Sequence, residues 1–289
     1  SGWNSWWRKA KVAAAHDPWL QVENPSRPLF ILRKRPLSAA DEIVLSMDRA
    51  RTLTELLEVV RGPLSLDPAE DVRGAMLDRL AVGLEEGGKD IARIEAALLL
   101  FKGERKSQAE AGQVIQQLLA EEGAAGFGDM MARLKPATLR KDAFDAFAAA
   151  DPKLWSDAVI GELPSLPGSV LEAVADKLVA DGRGAALANR MSIYLMTPSR
   201  QPTCVMRLAK KFAAGLFDEV EGAPSVTDVI MGLMHLVETQ APKASRDDRD
   251  ARDILKGVST LLLAKKRGLL DAFMEQVRKP EMERVMGVM

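Results

Sequence analysis

At 289 residues and 31.5 kDa, with 47% hydrophobic and 28% charged residues, the chain has the make-up of a globular protein with one or two cores. A formal net charge of -1 excludes a global field for nucleic acid, so any such contact needs a local patch. The single cysteine, Cys204, excludes a disulfide framework and fits a reducing, cytoplasmic setting, and the longest apolar runs, such as AALLLF, fall far short of the roughly 18 residues of a membrane span.

The chain opens SGWNSWWRKAK, with neither an initiator Met nor the charged-then-apolar pattern of a signal peptide, and is read as an excised piece of a longer protein. Four of the five tryptophans, Trp3, Trp6, Trp7 and Trp19, fall before residue 20, which sets this end apart from the rest of the chain. On a helix Trp3, Trp6 and Trp7 share one face through i+3/i+4 spacing, and Arg8, Lys9 and Lys11 fan out around the others. The DP pair at 17–18 stops that helix. PSRPLFILRKRP then predicts an extended arm, because Pro25, Pro28 and Pro36 bar a helix through it. Any strand is expected within 28–34.

Two uses of this segment fit its composition. Trp3, Trp6, Trp7 and Trp19 can anchor a small core together with Phe30 and Leu32, so that at least two of the first three indoles pack against the arm. Arg8, Lys9, Lys11, Arg33, Lys34 and Arg35 then form one basic rim for a partner. Alternatively, rings and cations together present a surface that grips a partner protein or, as the lesser alternative, a nucleic-acid backbone.

From residue 38 onward the pattern is helical, which divides the chain into a Trp-rich segment (1–36) and a helical-repeat domain (37–289). SVLEAVADKLVA places Val170, Leu171, Val174, Leu178 and Val179 on one face, and DVRGAMLDRLAVGLEE aligns Val72, Met76, Leu80 and Leu84. Helix starts are marked by a hydroxyl residue with an acid three positions on: Ser38/Asp41, Thr52/Glu55, Ser107/Glu110, Ser169/Glu172 and Ser225/Asp228. Breaks at RGP (61–63), LKP (134–136), LPSLPG (163–168), TPSRQP (197–202) and EGAP (221–224) recur at intervals of about 15 to 25 residues. Short capped helices without a βαβ rhythm predict an all-α fold of about a dozen helices. Their spacing suits stacked antiparallel pairs in an irregular α-α superhelix of TPR or HEAT type; a compact helical bundle is the other arrangement.

Chemistry is hard to find along the chain. His16 and His235 are far apart and lack a metal-ligand spacing; VIMGLMHLV reads as an apolar helix face on which His235 is a core or boundary residue. Cys204 has no basic partner in view and reads as a small buried hydrophobe. EEGAAGFGDMM lacks the GK[ST] ending of a phosphate loop. RDDRDARD (246–253) interleaves Arg246, Arg249 and Arg252 with its acids, the mark of a solvated helix face. Met191, Met196, Met206, Met231 and Met234 fall on helix core faces. The expectation is a protein without catalytic residues, metal or cofactor.

The opening, WNSWWRKAKVAAAHDPWLQVENPSRPLFILRKRPLSAADE, resembles the segment that begins the helical extension of oversized bacterial GreA/GreB-type transcription factors. Trp3, Trp6, Trp7, Lys11, Asp17, Pro18, Phe30, Leu32, Arg33 and Pro36 carry the likeness, and SRQPTCVMRLAKKFAAGLF and STLLLAKKRGLLDAFMEQV share its character. The long coiled coil with an acidic tip and the β-rich docking domain of those factors do not occur here, so no catalytic acid is carried over. The resemblance implies a non-catalytic accessory scaffold, with RNA polymerase or a transcription complex as partner. A stand-alone helical-repeat adaptor is the runner-up, and an enzyme with an unrecognised helical site the third class.

Overall fold

A computed structural model of the chain describes residues 2–15, 17–23, 28–86, 91–122, 126–135, 137–153, 155–246 and 248–263, together with Leu269, Leu270 and Phe273. The fold is all-α apart from one two-stranded sheet, and it forms two compact units, Ser1–Arg105 and Lys106–Met289. The 37–289 domain expected from the sequence is thus shared between them: the Trp-rich segment belongs to one unit with the first four helices that follow it. Of the breaks and motifs named above, His16, Pro25, Pro136, residues 123–125 and most of 259–277 lie outside the described residues.

In the first unit, α1 (Gly2–Ala15) is followed by β1 (Leu20–Glu23) and β2 (Leu29–Leu32), which pair antiparallel with Leu20 opposite Leu32. The extended arm therefore folds back as a hairpin, and β1 lies outside the stretch where a strand was expected. Its four residues are too few for alternation to register until the partner strand supplies the second half of the ladder.

Four helices complete the unit: α2 (Ala39–Arg49), α3 (Leu53–Ser65), α4 (Glu70–Glu86) and α5 (Ala92–Lys102). Ser38 and Asp41 form a reciprocal capping box on α2; Thr52 caps Glu55 on α3, while the Glu55 carboxylate accepts instead from the Arg51 N–H. Helix α3 runs through the RGP signal to Ser65, with Pro63 in its last turn, where it forgoes one i→i−4 bond and the helix ends two residues on. Leu53, Leu56, Leu57 and Val60 face Met76, Leu77, Leu80 and Leu84 of α4 and Ile94 and Leu98 of α5 across a fully apolar seam. At its margin Glu95, 3% exposed, is held by both limbs of the Arg61 fork at 2.6 and 2.9 Å. The pair keeps a buried carboxylate compensated, and it raises the Arg61 pKa chiefly through those hydrogen bonds.

The second unit comprises α6 (Gln108–Glu122), α7 (Phe127–Arg133), α8 (Leu139–Ala150), α9 (Trp155–Ile160), α10 (Gly168–Ala180), α11 (Gly184–Met196), α12 (Pro202–Ala213), α13 (Val226–Ala244) and α14 (Arg249–Leu262). Helices α6, α8, α10, α12 and α14 pack each on the next, and α7, α9, α11 and α13 form a second such row. Helices α6 and α8 approach closely where Gly112 faces Ala146: a Cβ there would overlap the Ala146 carbonyl oxygen. Only glycine fits there, with alanines opposite.

Ser107 and Ser225 build capping boxes with Glu110 and Asp228 as their spacing predicts. Ser169 does not. Helix α10 begins two residues earlier than a Ser169 cap would set it, at Gly168 after Pro167, so Ser169 lies within the first turn and Glu172 pairs with Arg207 at 2.6 Å. Asp248 caps α14 through the Ala251 N–H, which gives the RDDRDARD run a structural use. The core of this unit centres on Phe127, Phe144, Phe147 and Trp155. The Trp155 indole N–H reaches Asp181 at 3.2 Å, and the Lys177 ammonium stands 5.5 Å from its ring.

Candidate interaction surface on the N-terminal module

Helix α1 carries no acid in its first turn and no cation in its last, so neither helix end is supported electrostatically. What organises it is the row of indoles. Trp3 stacks on Trp6 (centroids 5.0 Å apart) and lies parallel to Trp7 at 6.2 Å, within 2° of coplanar orientation. Trp7 is half-buried and meets the Phe30 ring edge-on at 6.1 Å, which attaches the helix to the hairpin.

Among the described residues the expected mini-core is reduced: of the three α1 indoles only Trp7 meets a ring of the arm. Trp3 and Trp6 are 69% and 56% exposed, and Trp19 (48%) and Leu32 (72%) are also open to solvent. The physical reason is size: a two-stranded hairpin and one helix offer a single ring-sized seat, and Trp7 fills it. Opposite pairs on the ladder share a face, so Leu20, Val22, Phe30 and Leu32 lie on one side and Leu29 and Ile31 on the other. Eight of the fifteen large hydrophobic residues that stand exposed among the described residues belong to 3–32. No other part of the described chain concentrates them so.

Charge is concentrated here too. Residues 1–36 hold seven Lys and Arg against Asp17 and Glu23, a balance of +5 that leaves -6 for the rest of a chain whose total is -1. The six cations singled out from the sequence fall into two groups with different duties. On α1, Arg8 and Lys9 are exposed and Lys11 is half-buried. After β2, the Arg33 side chain donates to the Leu20 carbonyl at 3.2 Å and its backbone N–H to Trp19, so it braces the hairpin. Arg35 is held by Asp41 at 3.0 Å, whereas Lys34 is exposed and has no ion-pair partner among the described residues. The Asp41 carboxyl is held below the usual carboxylate range, first by hydrogen bonds from Ser38 and then by Arg35. Beside this group Arg33, Lys34, Pro36, Val44 and Leu45 line a cleft of about 380 Å³.

The other sequence candidates separate cleanly. Cys204 is buried, and burial pushes its thiol up to about 12, away from nucleophilic chemistry. His235 is exposed and 3.6 Å from Glu238, rather than a core or boundary residue: α13 buries Met234 and Leu236 and turns His235 outward. Met191 and Met234 are core residues and Met206 is half-buried, but Met196 (82%) and Met231 (41%) are exposed beside a small cavity between α11 and α13. Periodicity placed them on an apolar stripe wider than the neighbouring helix can cover. A larger hollow of about 580 Å³, lined by Gly182, Gly184, Gly215, Asp218, Glu219 and Glu221, gave no sequence signal beyond the EGAP break.

Among the described residues, no group of three or more His, Cys, Asp or Glu side chains is placed to hold a metal ion, and no helix is long and apolar enough to cross a membrane. Comparison with family models, with curated proteins and with solved structures finds no match to the chain.

Proposed function

We propose that the chain is a non-catalytic protein-interaction scaffold: an irregular α-α superhelix that carries a Trp-rich basic module as its gripping surface. Its place is as an accessory extension of a Gre-like transcription factor in the bacterial cytoplasm, with RNA polymerase or a transcription complex as the partner. The observation that supports a gripping role is the exposure of Trp3 and Trp6 on the same helix as the exposed Arg8 and Lys9. Tryptophan and arginine are among the residues most enriched at binding hot spots, and Trp3 and Trp6 leave most of their ring surface in water, where it is costly unless a partner covers it. The transcriptional setting rests on the likeness of the opening segment.

Binding to purified bacterial RNA polymerase tests the reading. Wild-type chain is expected to bind, Trp3→Ala/Trp6→Ala to lose at least about tenfold in affinity, and Lys9→Glu/Lys34→Glu to weaken binding more at low salt than at high salt. Absence of polymerase binding sinks the transcriptional assignment and leaves the stand-alone adaptor. Tight, salt-steep binding to a single-stranded oligonucleotide, abolished by the same variants, favours nucleic-acid contact instead.

A further inference from the structure

The hairpin of the N-terminal module ends in an open edge. The Arg33 N–H donates to the Trp19 carbonyl, and the register pairs Ile31 with Gln21 and Leu29 with Glu23. In an antiparallel ladder bonded pairs alternate with non-bonded ones, so Leu29, Ile31 and Arg33 point their backbone groups toward β1. Phe30 and Leu32 point theirs away. Among the described residues no third strand takes them up; α1 packs against β1 and meets β2 through the Trp7 ring on Phe30.

The edge is short and Pro28 precedes it, but LFIL (29–32) itself carries no charge, proline or bulge to repel another strand. All four of its side chains are exposed, from 36% at Phe30 to 72% at Leu32. Cations flank it in sequence, Arg27 before and Arg33 to Arg35 after, with Lys34 exposed two residues beyond Leu32.

We infer that β2 is a docking strand that takes an extended, acidic segment of a partner protein as the third strand of the sheet. The inference rests on the reading of this module as a partner-binding surface and specifies its mode. The incoming backbone bonds to Phe30 and Leu32, and its alternate apolar side chains cover Leu29 and Ile31 on one face and Phe30 and Leu32 on the other. Acidic residues at the end nearest Lys34 meet the positive pole of the module. A second copy of the chain is the poorer occupant, because it brings another +5 module against the first, whereas an acidic strand is attracted.

The probe is a short capped peptide that begins with two acids and continues as alternating valine and threonine, titrated into the full chain. Amide hydrogen exchange followed by NMR is expected to slow at Phe30 and Leu32 on binding, with Ile31 protected already in the free protein. Leu32→Pro deletes one outward N–H while sparing the ladder to β1, as edge positions tolerate. It should weaken the peptide at least about tenfold, and Leu32→Ala should stay within about threefold. If Leu32→Pro disturbs the hairpin, seen as lost protection at Ile31, the wild-type exchange pattern decides by itself. Unchanged exchange at Phe30 and Leu32 under saturating peptide overturns the inference, as does equal loss in the Pro and Ala variants. Concentration-dependent protection of both amides without peptide, with a dimer in sedimentation, overturns it in favour of self-pairing. Polymerase binding that survives Leu32→Pro keeps the scaffold reading and removes strand addition; edge protection by peptide without polymerase binding does the reverse.

Discussion

Trp3, Trp6 and Trp7 stack on one another at the surface of a small module, while Phe127, Phe144, Phe147 and Trp155 meet inside the second compact unit, where Trp155 is 2% exposed. Ring chemistry does not separate the two clusters. Their surroundings do. The inner cluster draws on α7, α8 and α9 at once, and Asp181 at the end of α10 supplies the partner that a buried indole N–H needs. The outer cluster has one helix and two four-residue strands around it, enough to seat Trp7 and no more. An aromatic cluster becomes a core where several elements converge on it and stays open to solvent where they do not.

The largest expected effect tests the inner cluster. Trp155→Ala should cost about 3–5 kcal/mol in urea unfolding, chiefly through the lost ring, since Asp181 keeps Lys177 as a donor at 3.0 Å. A cost as small as that of the outer tryptophans would dissolve the contrast.

Charges divide along the same line. Arg61→Ala strands the buried Glu95 carboxylate and should cost about 2–3 kcal/mol, toward the low end for a broken pair because the Arg61 side chain is itself 46% exposed. Asp41→Asn, which breaks the exposed pair with Arg35, should show no comparable change.

Glu172 sharpens the comparison through pH. Burial acts first and raises its pKa, but the Arg207 hydrogen bond and the charges of Lys210 and Arg207 outweigh burial and leave it below its ordinary 4.5. A depressed folded pKa contributes stability above the unfolded value and loses it as pH falls through the folded one. Glu172→Gln should therefore be about 1–2 kcal/mol less stable than wild type at neutral pH, and the two curves should converge below pH 4.5. Parallel curves down to pH 2 would show that the ion pair is not the source.

The smallest effect is reserved for the outer ring pair. Trp3→Ala/Trp6→Ala should shift stability by no more than about 0.5 kcal/mol, and wild-type fluorescence should be readily quenched by acrylamide. Trp7→Ala, which loses the edge contact with Phe30, should cost about 1 kcal/mol. A double variant as damaging as Trp155→Ala would mean that the indoles serve the fold after all.

The all-α class was legible in the residues because it depends on near-neighbour physics. Apolar spacing at Val170, Leu171, Val174 and Leu178 sets a buried face, and a hydroxyl with an acid three positions on closes a helix start at Ser38, Ser107 and Ser225. The composition of the candidate surface, three indoles among cations, was legible for the same reason. Tertiary structure decided what local pattern leaves open. Ser169/Glu172 has the spacing of a cap, yet Arg207, 35 residues beyond Glu172, draws the acid away. Glu95 is an unremarked acid until the Arg61 fork closes on it from another helix. The fold of β1 onto β2, the exposure of Trp3 and Trp6, and the open edge at Phe30 and Leu32 depend on how many elements gather around each residue. Spacing along a chain specifies which side of a helix or strand is apolar, and only packing specifies whether anything covers it.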